Sequence, residues 1–429
     1  MNTKNLKLPL LLSLLMVIVL SSCQDKTIRT YQANIPVMQT MEEWRLTEFA
    51  LEGPRDLVRP GKIYVYGTYL FVNEYLEGVH FFDNANPSAP VNLGFLPVLA
   101  NVDIAVKDNK MYLDSYFDLL TFDISDIMNP VLDDREQDVF EFADYGYLPS
   151  FDPNYPMASD DYVTGVVTGW TIGETTEEVN DDFYYNVWAL QSQTFINADA
   201  STGSAGANFL SGPGKAGSTA RFAIYEDNLY ALHAWQMSVF TIGASTDFIR
   251  NVAVQWNAET LFPAQGKMFI GTQNGMLVYS LNDPNNPQFI SEYWHWTSCD
   301  PVVVDGNRAY VTLSTGRTCQ GDLNVLQVLD ISNISNPFLI RQYNMTNPKG
   351  LGVDGELLFL CDGSAGLKVY DRTNDTQIDV NRLATFANIN TNDVIPLEGV
   401  LLMTSEEGIY QYDYTDPLNI TELSLIPAN

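Results

Sequence analysis

Chemistry in this chain has few places to come from. Histidine occurs three times, as His80, His233 and His295, and none stands in a His-x-His spacing that would bring two ligands onto one metal. No Gly-x-Ser-x-Gly elbow is present, so neither metal-assisted nor serine hydrolysis has an anchor. The stretch Gly212-Pro213-Gly214-Lys215-Ala216-Gly217-Ser218-Thr219 invites a phosphate-loop reading. It fails because Ala216 stands where the motif needs Ser or Thr after its Lys, and because a strand, not a helix, is expected from Arg221. Of the four cysteines, Cys299 and Cys319 fall in one repeat and are expected to pair in an oxidising compartment, while Cys361 reads as buried and free. No paired His supports a cysteine nucleophile.

One polar set does recur at a fixed place. Asp103, Arg221, Thr260, Asp300, Lys349 and Asp393 align at the start of the first strand of successive repeats, where they would ring a channel mouth. His233 and Trp235 fall in a neighbouring loop, and His295 lies among Tyr293, Trp294 and Trp296. Such a ring suits a small polar ligand; equally, its charges would neutralise one another around trapped water. A divalent cation on Asp103, Asp300 and Asp393 would turn the mouth into an enzyme site. No resident cofactor is expected, and no Asp-x-Asp-x-Asp-Gly calcium loop occurs.

The elements that position these residues come from a repeat. Seven times a turn, an apolar strand, a second strand and a third strand follow one another, the third closing on Phe82-Asp83, Phe122-Asp123, Phe240-Thr241, Tyr279-Ser280, Leu329-Asp330, Tyr370-Asp371 and Tyr412-Asp413. A period of about 40 residues means small antiparallel sheets that stack on their neighbours. The fold class is therefore all-β, a β-propeller of seven blades by repeat count, with six to eight allowed by one large insertion. Turns such as Asp108-Asn109, Asp227-Asn228 and Asp354-Gly355 carry the residues that tight hairpins demand. Asn86-Pro87, Asn129-Pro130, Asn286-Pro287 and Asn336-Pro337 mark the hairpin before each outer strand.

Two spacings break the period. One leaves about 78 residues beyond a normal unit, over 141–218, and the other about 10, from Thr315 to Asp322. In a four-stranded blade the connections after the first and third strands share one face, and those after the second and fourth share the other. Both insertions fall on the second face, so function is expected there.

The N-terminus reads Lys4, Lys7, an apolar run from Leu8 to Leu20, then Ser21-Ser22-Cys23. That is a secretory signal, too short in its apolar part for a spanning helix. Leu20-Ser21-Ser22-Cys23 resembles the bacterial lipobox, which implies lipidation of Cys23, removal of 1–22, and a lipid anchor and tether over 23–43 before the propeller at 44–429. Acyl chains at about 0.8 kcal/mol per buried CH₂ would hold it firmly to a bilayer. Gln24-Asp25 carries no inner-membrane retention signal, which points to the outer membrane of a bacterial envelope. The net charge of −31 disfavours nucleic acid and adhesion to anionic lipid through a basic patch.

Leu323-Asn324-Val325-Leu326-Gln327-Val328-Leu329-Asp330 and Gly366-Leu367-Lys368-Val369-Tyr370-Asp371 resemble the repeat of the LVIVD-repeat lipoproteins, a family of bacterial propellers. The resemblance spans most of 60–429, is weakest from 141 to 218, and implies no particular reaction. The leading expectation is a lipid-anchored, non-catalytic propeller that presents its elaborated face to a protein or glycan. Its rival is an extracytoplasmic enzyme or small-solute binder with a site at the channel mouth.

Overall fold

The computed structural model describes residues 27–140, 151–158, 165–179, 215–218, 220–233, 235–255, 257–295, 301–314 and 323–429. Contacts divide the chain into two units, Met1–Met38 with Ser150–Phe195, and Gln39–Pro149 with Ile196–Asn429. Cys23, Cys299, Asp300, Cys319 and the small insertion after Ser314 lie outside the described residues.

In the first unit the strand Thr27–Gln39 pairs with Val166–Val179 as a two-stranded ribbon. Thr30 Oγ1 meets Thr176 Oγ1 at 3.1 Å, and Thr168 Oγ1 donates to the Val37 carbonyl at 3.2 Å, so the strands run antiparallel. Asn34, fully buried, organises the segment beside them: its Nδ2 donates to the carbonyls of Asp152 and Tyr155 at 2.9 and 2.7 Å. The segment expected to tether the fold is thus a strand from Thr27 onward, and the partner it takes lies in the large insertion.

The second unit is a propeller of seven blades, each with four antiparallel strands paired in sequence order. Blade 2 shows the plan: Ile104–Lys107, Lys110–Ser115, Asp118–Asp123 and Val131–Glu136. Third strands Gly78–Asp83, Asp118–Asp123, Gln236–Thr241, Gly275–Ser280, Val325–Asp330, Leu367–Asp371 and Gly408–Asp413 all end on the residues that the repeat assigned. First strands of consecutive blades lie against each other, which puts them innermost. Because each blade is covered on both faces, the second and third strands are buried along almost their whole length and read as continuous apolar runs.

Turn chemistry explains the repeated acid. Asp83, Asp123, Asp330, Asp371 and Asp413 each accept, through Oδ1, the backbone N–H two residues on, at 2.8–2.9 Å. These bonds cap the turn and are no sign of a site. In the turns after first strands, Asp108 and Asn109 take φ of 48° and 61°, as a tight hairpin requires. Pro87 is not the counterpart of Pro130: Asn86 accepts from Ala89 N as Asp126 accepts from Asn129 N, so Pro90 occupies the equivalent place.

Among the described residues no strand is exchanged to close the ring. Blade 7 keeps its own outer strand, Thr421–Pro427, and Ala428 bridges to Leu57 while Asn429 N donates to the Leu57 carbonyl at 2.8 Å. Between blades 1 and 7, Asn84 and Gln411 exchange two amide hydrogen bonds of 2.9 and 2.7 Å, both buried. Glu74 holds the Leu57 segment by accepting from Val58 N, Arg59 N and His80 Nε2. Burial raises its pKa, but these hydrogen bonds outweigh that and leave the carboxyl below its ordinary value. Trp44 and Phe49 do not reach the last blade. A short helix, Met41–Arg45, capped by Thr40 and Glu43, sets Trp44 edge-on to Tyr116 at 5.6 Å and Phe49 against Phe122 at 5.3 Å, on blade 2. Arg45 and Arg135 converge there on the buried Asp118.

Ring closure through the amide pair has a direct test. Asn84→Ala and Gln411→Ala should each cost about 2 kcal/mol by stranding the partner amide. The double variant should cost clearly less than the two together, a coupling that urea melts of all four proteins would measure.

Candidate functional site

The strand register identifies the ring positions. The residues immediately before the first buried apolar of each inner strand are Lys62, Asp103, Arg221, Thr260, Pro301, Gly350 and Asp393, since Ile63, Ile104, Phe222, Leu261, Val302, Leu351 and Val394 pair equivalently with the second strands. Lys349 therefore stands one residue before the ring; its Nζ donates to Asn392 Oδ1 at 2.6 Å. Asp393 is fully buried against Gly350, where an added Cβ would fall 1.8 Å from Asp393 Oδ1, so only glycine fits. Thr260 is buried at its place in blade 4.

These residues do not share one pocket, because the chain itself occupies the axis. Lys215–Ala216 adds a fifth strand to the inner edge of blade 1, Lys215 opposite Val65 and Ala216 opposite Tyr64. Lys215 Nζ donates to the Pro396 carbonyl of blade 7 at 3.1 Å. Ser218 Oγ donates to Asp393 Oδ1 at 3.2 Å and accepts from Leu351 N of blade 6 at 3.0 Å. Ala220 then accepts from Leu261 N of blade 4 at 2.8 Å. Within the stretch that imitates a phosphate loop, the described residues Lys215–Ser218 form an axial plug.

What remains at the mouth is a cleft between blades 2 and 3, on the face of the long loops. Asp103 accepts from Ile104 N through Oδ1 and from the backbone N–H groups of Arg221 and Phe222 through Oδ2, so its carboxylate joins the two blades. Asp114, from the second strand of blade 2, accepts through Oδ1 from Asn101 Nδ2, Val102 N and Asp103 N at 2.8, 2.9 and 3.0 Å. Asn101 is fixed in turn by Asn73 Nδ2 at 2.7 Å. Asp103 is 2% exposed and Asp114 8%. Burial pushes Asp114 up to about 7, with the Asp103 charge adding to it. Asp103 is also raised, burial outweighing Lys62 and the backbone donors. Burial thus opposes ionisation of both carboxyls.

The cavity beside them has a volume of about 10 Å³ and is lined by Asp103, Asp114, Tyr116, Phe140, Arg221 and His233 among others. That is room for about one water. His233 ends the second strand of blade 3 with its ring 5.7 Å from Phe140, and Trp235 follows in the loop, its carbonyl accepting from Val254 N at 2.8 Å. The structure thus brings Asp103, Arg221 and His233 together and leaves Asp393, Lys349 and Thr260 elsewhere on the mouth. Asp114 and Lys62 are the additions. Asp114 was visible as a charge in a strand whose counterparts carry Asn73, Leu232, Gly271, Thr312, Cys361 and Thr404. Cys361 is buried and free; burial, then Asp393, raises its thiol well above the ordinary value, leaving it unreactive. Among the described residues no group of three or more His, Cys, Asp or Glu is placed to hold a metal.

Fold and site together define a seven-bladed β-propeller with an occupied axis and a buried carboxylate pair at one mouth. No protein-family model matches the chain, the LVIVD repeat included, and no curated protein matches it. Among solved structures it is similar to the computationally designed Ika8 protein, at 10% identity and a TM-score of 0.49 over 87% of this chain and 89% of that one. Sqt1 of Saccharomyces cerevisiae gives 6% identity and 0.48 over 89% of both chains. Apo AztD of Citrobacter koseri gives 13% and 0.36 over 49% of this chain and 60% of that one. At these identities and scores the likenesses carry no functional argument.

A buried acid with a raised pKa costs stability wherever it must ionise. For Asp114 that cost is absent below the ordinary aspartate value near 3.8, grows as pH rises, and is complete above about 7. Asp114→Asn keeps an oxygen acceptor and removes the charge. Relative to the wild type, the variant should gain on the order of 2 kcal/mol between pH 5 and pH 8; a difference that stays flat with pH in denaturant titrations would show that Asp114 does not titrate there.

Proposed function

We propose that the chain is a lipid-anchored β-propeller of the bacterial cell envelope, akin to the LVIVD-repeat lipoproteins, that works as a non-catalytic interaction module for a protein or glycan. The observation that carries this reading is the occupied axis. With Lys215–Ser218 in the channel and a one-water cavity at the mouth, the broad surfaces left for recognition are the loop-bearing faces. The face with the connections after second and fourth strands, to which the sequence assigns both insertions, offers aromatic side chains, Trp235 and the 58%-exposed Trp294, suited to protein or sugar contact. Anchoring rests on Lys4, Lys7, the apolar run and Cys23, and the outer membrane on Gln24-Asp25.

One observation favours a second reading, an extracytoplasmic enzyme or solute binder at the mouth: the Asp103–Asp114 pair, poised to exchange a proton near neutral pH. The cavity's size weighs against it.

Cross-linking of the full-length protein in envelopes tests the interaction reading. A specific adduct should form with the wild type, fall at least about tenfold in Trp235→Ala/Trp294→Ala, and persist in Glu356→Lys on the opposite face. An unchanged adduct in the Trp variant would remove the loop face from the account. In parallel, Cys23→Ala should release the protein from the membrane fraction; retention would refute the lipid anchor.

A further inference from the structure

The segment 40–59, which precedes the first strand of blade 1, visits three blades in turn along the outer rim. At blade 2, Arg45 donates from Nε and Nη2 to the two oxygens of the buried Asp118 at 2.8 and 2.6 Å, and Phe49 packs on Phe122. At blade 1, Glu52 and Phe95 exchange backbone bonds of 2.8 and 3.2 Å as an antiparallel bridge on the outer strand. Asn92 Nδ2 donates to the Arg55 carbonyl at 2.9 Å, and the Arg55 guanidinium lies 4.2 Å from the Phe95 ring centre. At the seam between blades 1 and 7, Leu57 is buried in a cluster that holds Ile63 and Val72 of blade 1 with Ile409 and Ile426 of blade 7. There it bridges Ala428, and its carbonyl accepts from Asn429 N at 2.8 Å. Among the described residues no other outer strand is bridged in this way.

Blade 1 is shaped for this segment. A Cβ on Gly94 would fall 2.5 Å from the Glu52 carbonyl oxygen and 2.9 Å from Leu51 Cγ, so the strap can lie across the outer strand only over glycine. Gly94 faces the third strand just before the bulge of its blade. At the same register position the other six blades carry Asp134, Arg250, Ser291, Arg341, Ala384 and Ser424. The side chain is missing only where the strap crosses. The seam has use for such a device, because at the axis Lys215 stands between the two blades, paired with Val65 of blade 1 and donating to the Pro396 carbonyl of blade 7.

We propose that residues 40–59 are a clasp: they close the ring from outside by binding blade 2, blade 1 and the end of blade 7, and the seam between blades 1 and 7 opens when the strap lifts. The hold at Leu57 depends on the strap being seated at Glu52, five residues earlier in the chain.

Hydrogen exchange of the full-length protein, followed by mass spectrometry, tests this with Gly94→Ala. The variant wedges the middle of the strap and alters no residue of the seam. Exchange in peptides covering 49–58 and 421–429 should rise about tenfold or more, while Lys267–Thr272 of blade 4 and Arg308–Leu313 of blade 5 keep their wild-type rates. Faster exchange in 49–58 alone, an even rise over all blades, or no change anywhere would each overturn the proposal. If Gly94→Ala does not fold, the wild type at low urea decides: the amides of Glu52 and Asn429 should open together with one dependence on urea. Exchange of Glu52 by local fraying while Asn429 stays protected would overturn it equally.

Discussion

The constraint on which this propeller turns is the satisfaction of polar groups along its axis. Seven first strands bring their inner edges to the axis, and the residues that start them include Lys62, Asp103, Arg221 and Asp393. Charges and backbone groups in such a place are costly unless paired. The chain solves this by threading Lys215–Ser218 and Ala220 past blades 1, 7, 6 and 4, with Ser218 serving Asp393 and the Leu351 N–H at once. Opposing polar residues are thereby answered by the protein itself.

A second polar line runs across blades 1 to 3: Asn73 to Asn101, Asn101 to Asp114, Asp114 to the backbone of Asp103, and Asp103 to that of Arg221 and Phe222. Buried polar networks of this kind fix register between packed elements. Here the line also ends at the residue where the chain leaves the plug and enters blade 3. The Asp103 carboxylate thereby holds Arg221 and Phe222, a few residues after Ser218.

How much of this the sequence could reveal follows from the range of each interaction. Third strands end where Phe122-Asp123 and its relatives placed them because the closing Asp caps its own turn two residues later, a purely local bond. Hairpin turns were legible for the same reason, Asp108-Asn109 being residue types that accept positive φ. Long-range partners were not. Nothing near Thr27–Gln39 announces that it pairs with Val166–Val179, and nothing in Gly214-Lys215-Ala216-Gly217-Ser218 distinguishes an axial strand from a loop. The ring was read one residue early in blade 6, at Lys349 in place of Gly350, because a charge draws the eye while the glycine is there only to admit Asp393.

The most direct measurement is the reactivity of Lys215 toward an amine-acylating reagent, followed by peptide mass spectrometry on the native and the urea-unfolded chain. An occupied axis predicts that Lys215 is strongly protected in the native protein and modified readily once unfolded, while Lys267, half-buried beside the turn after the first strand of blade 4 with its ammonium on the exposed Gln265 carbonyl, reacts in both. Modification of native Lys215 at the rate of Lys267 would mean that the axis is empty, and the account of the channel would be wrong.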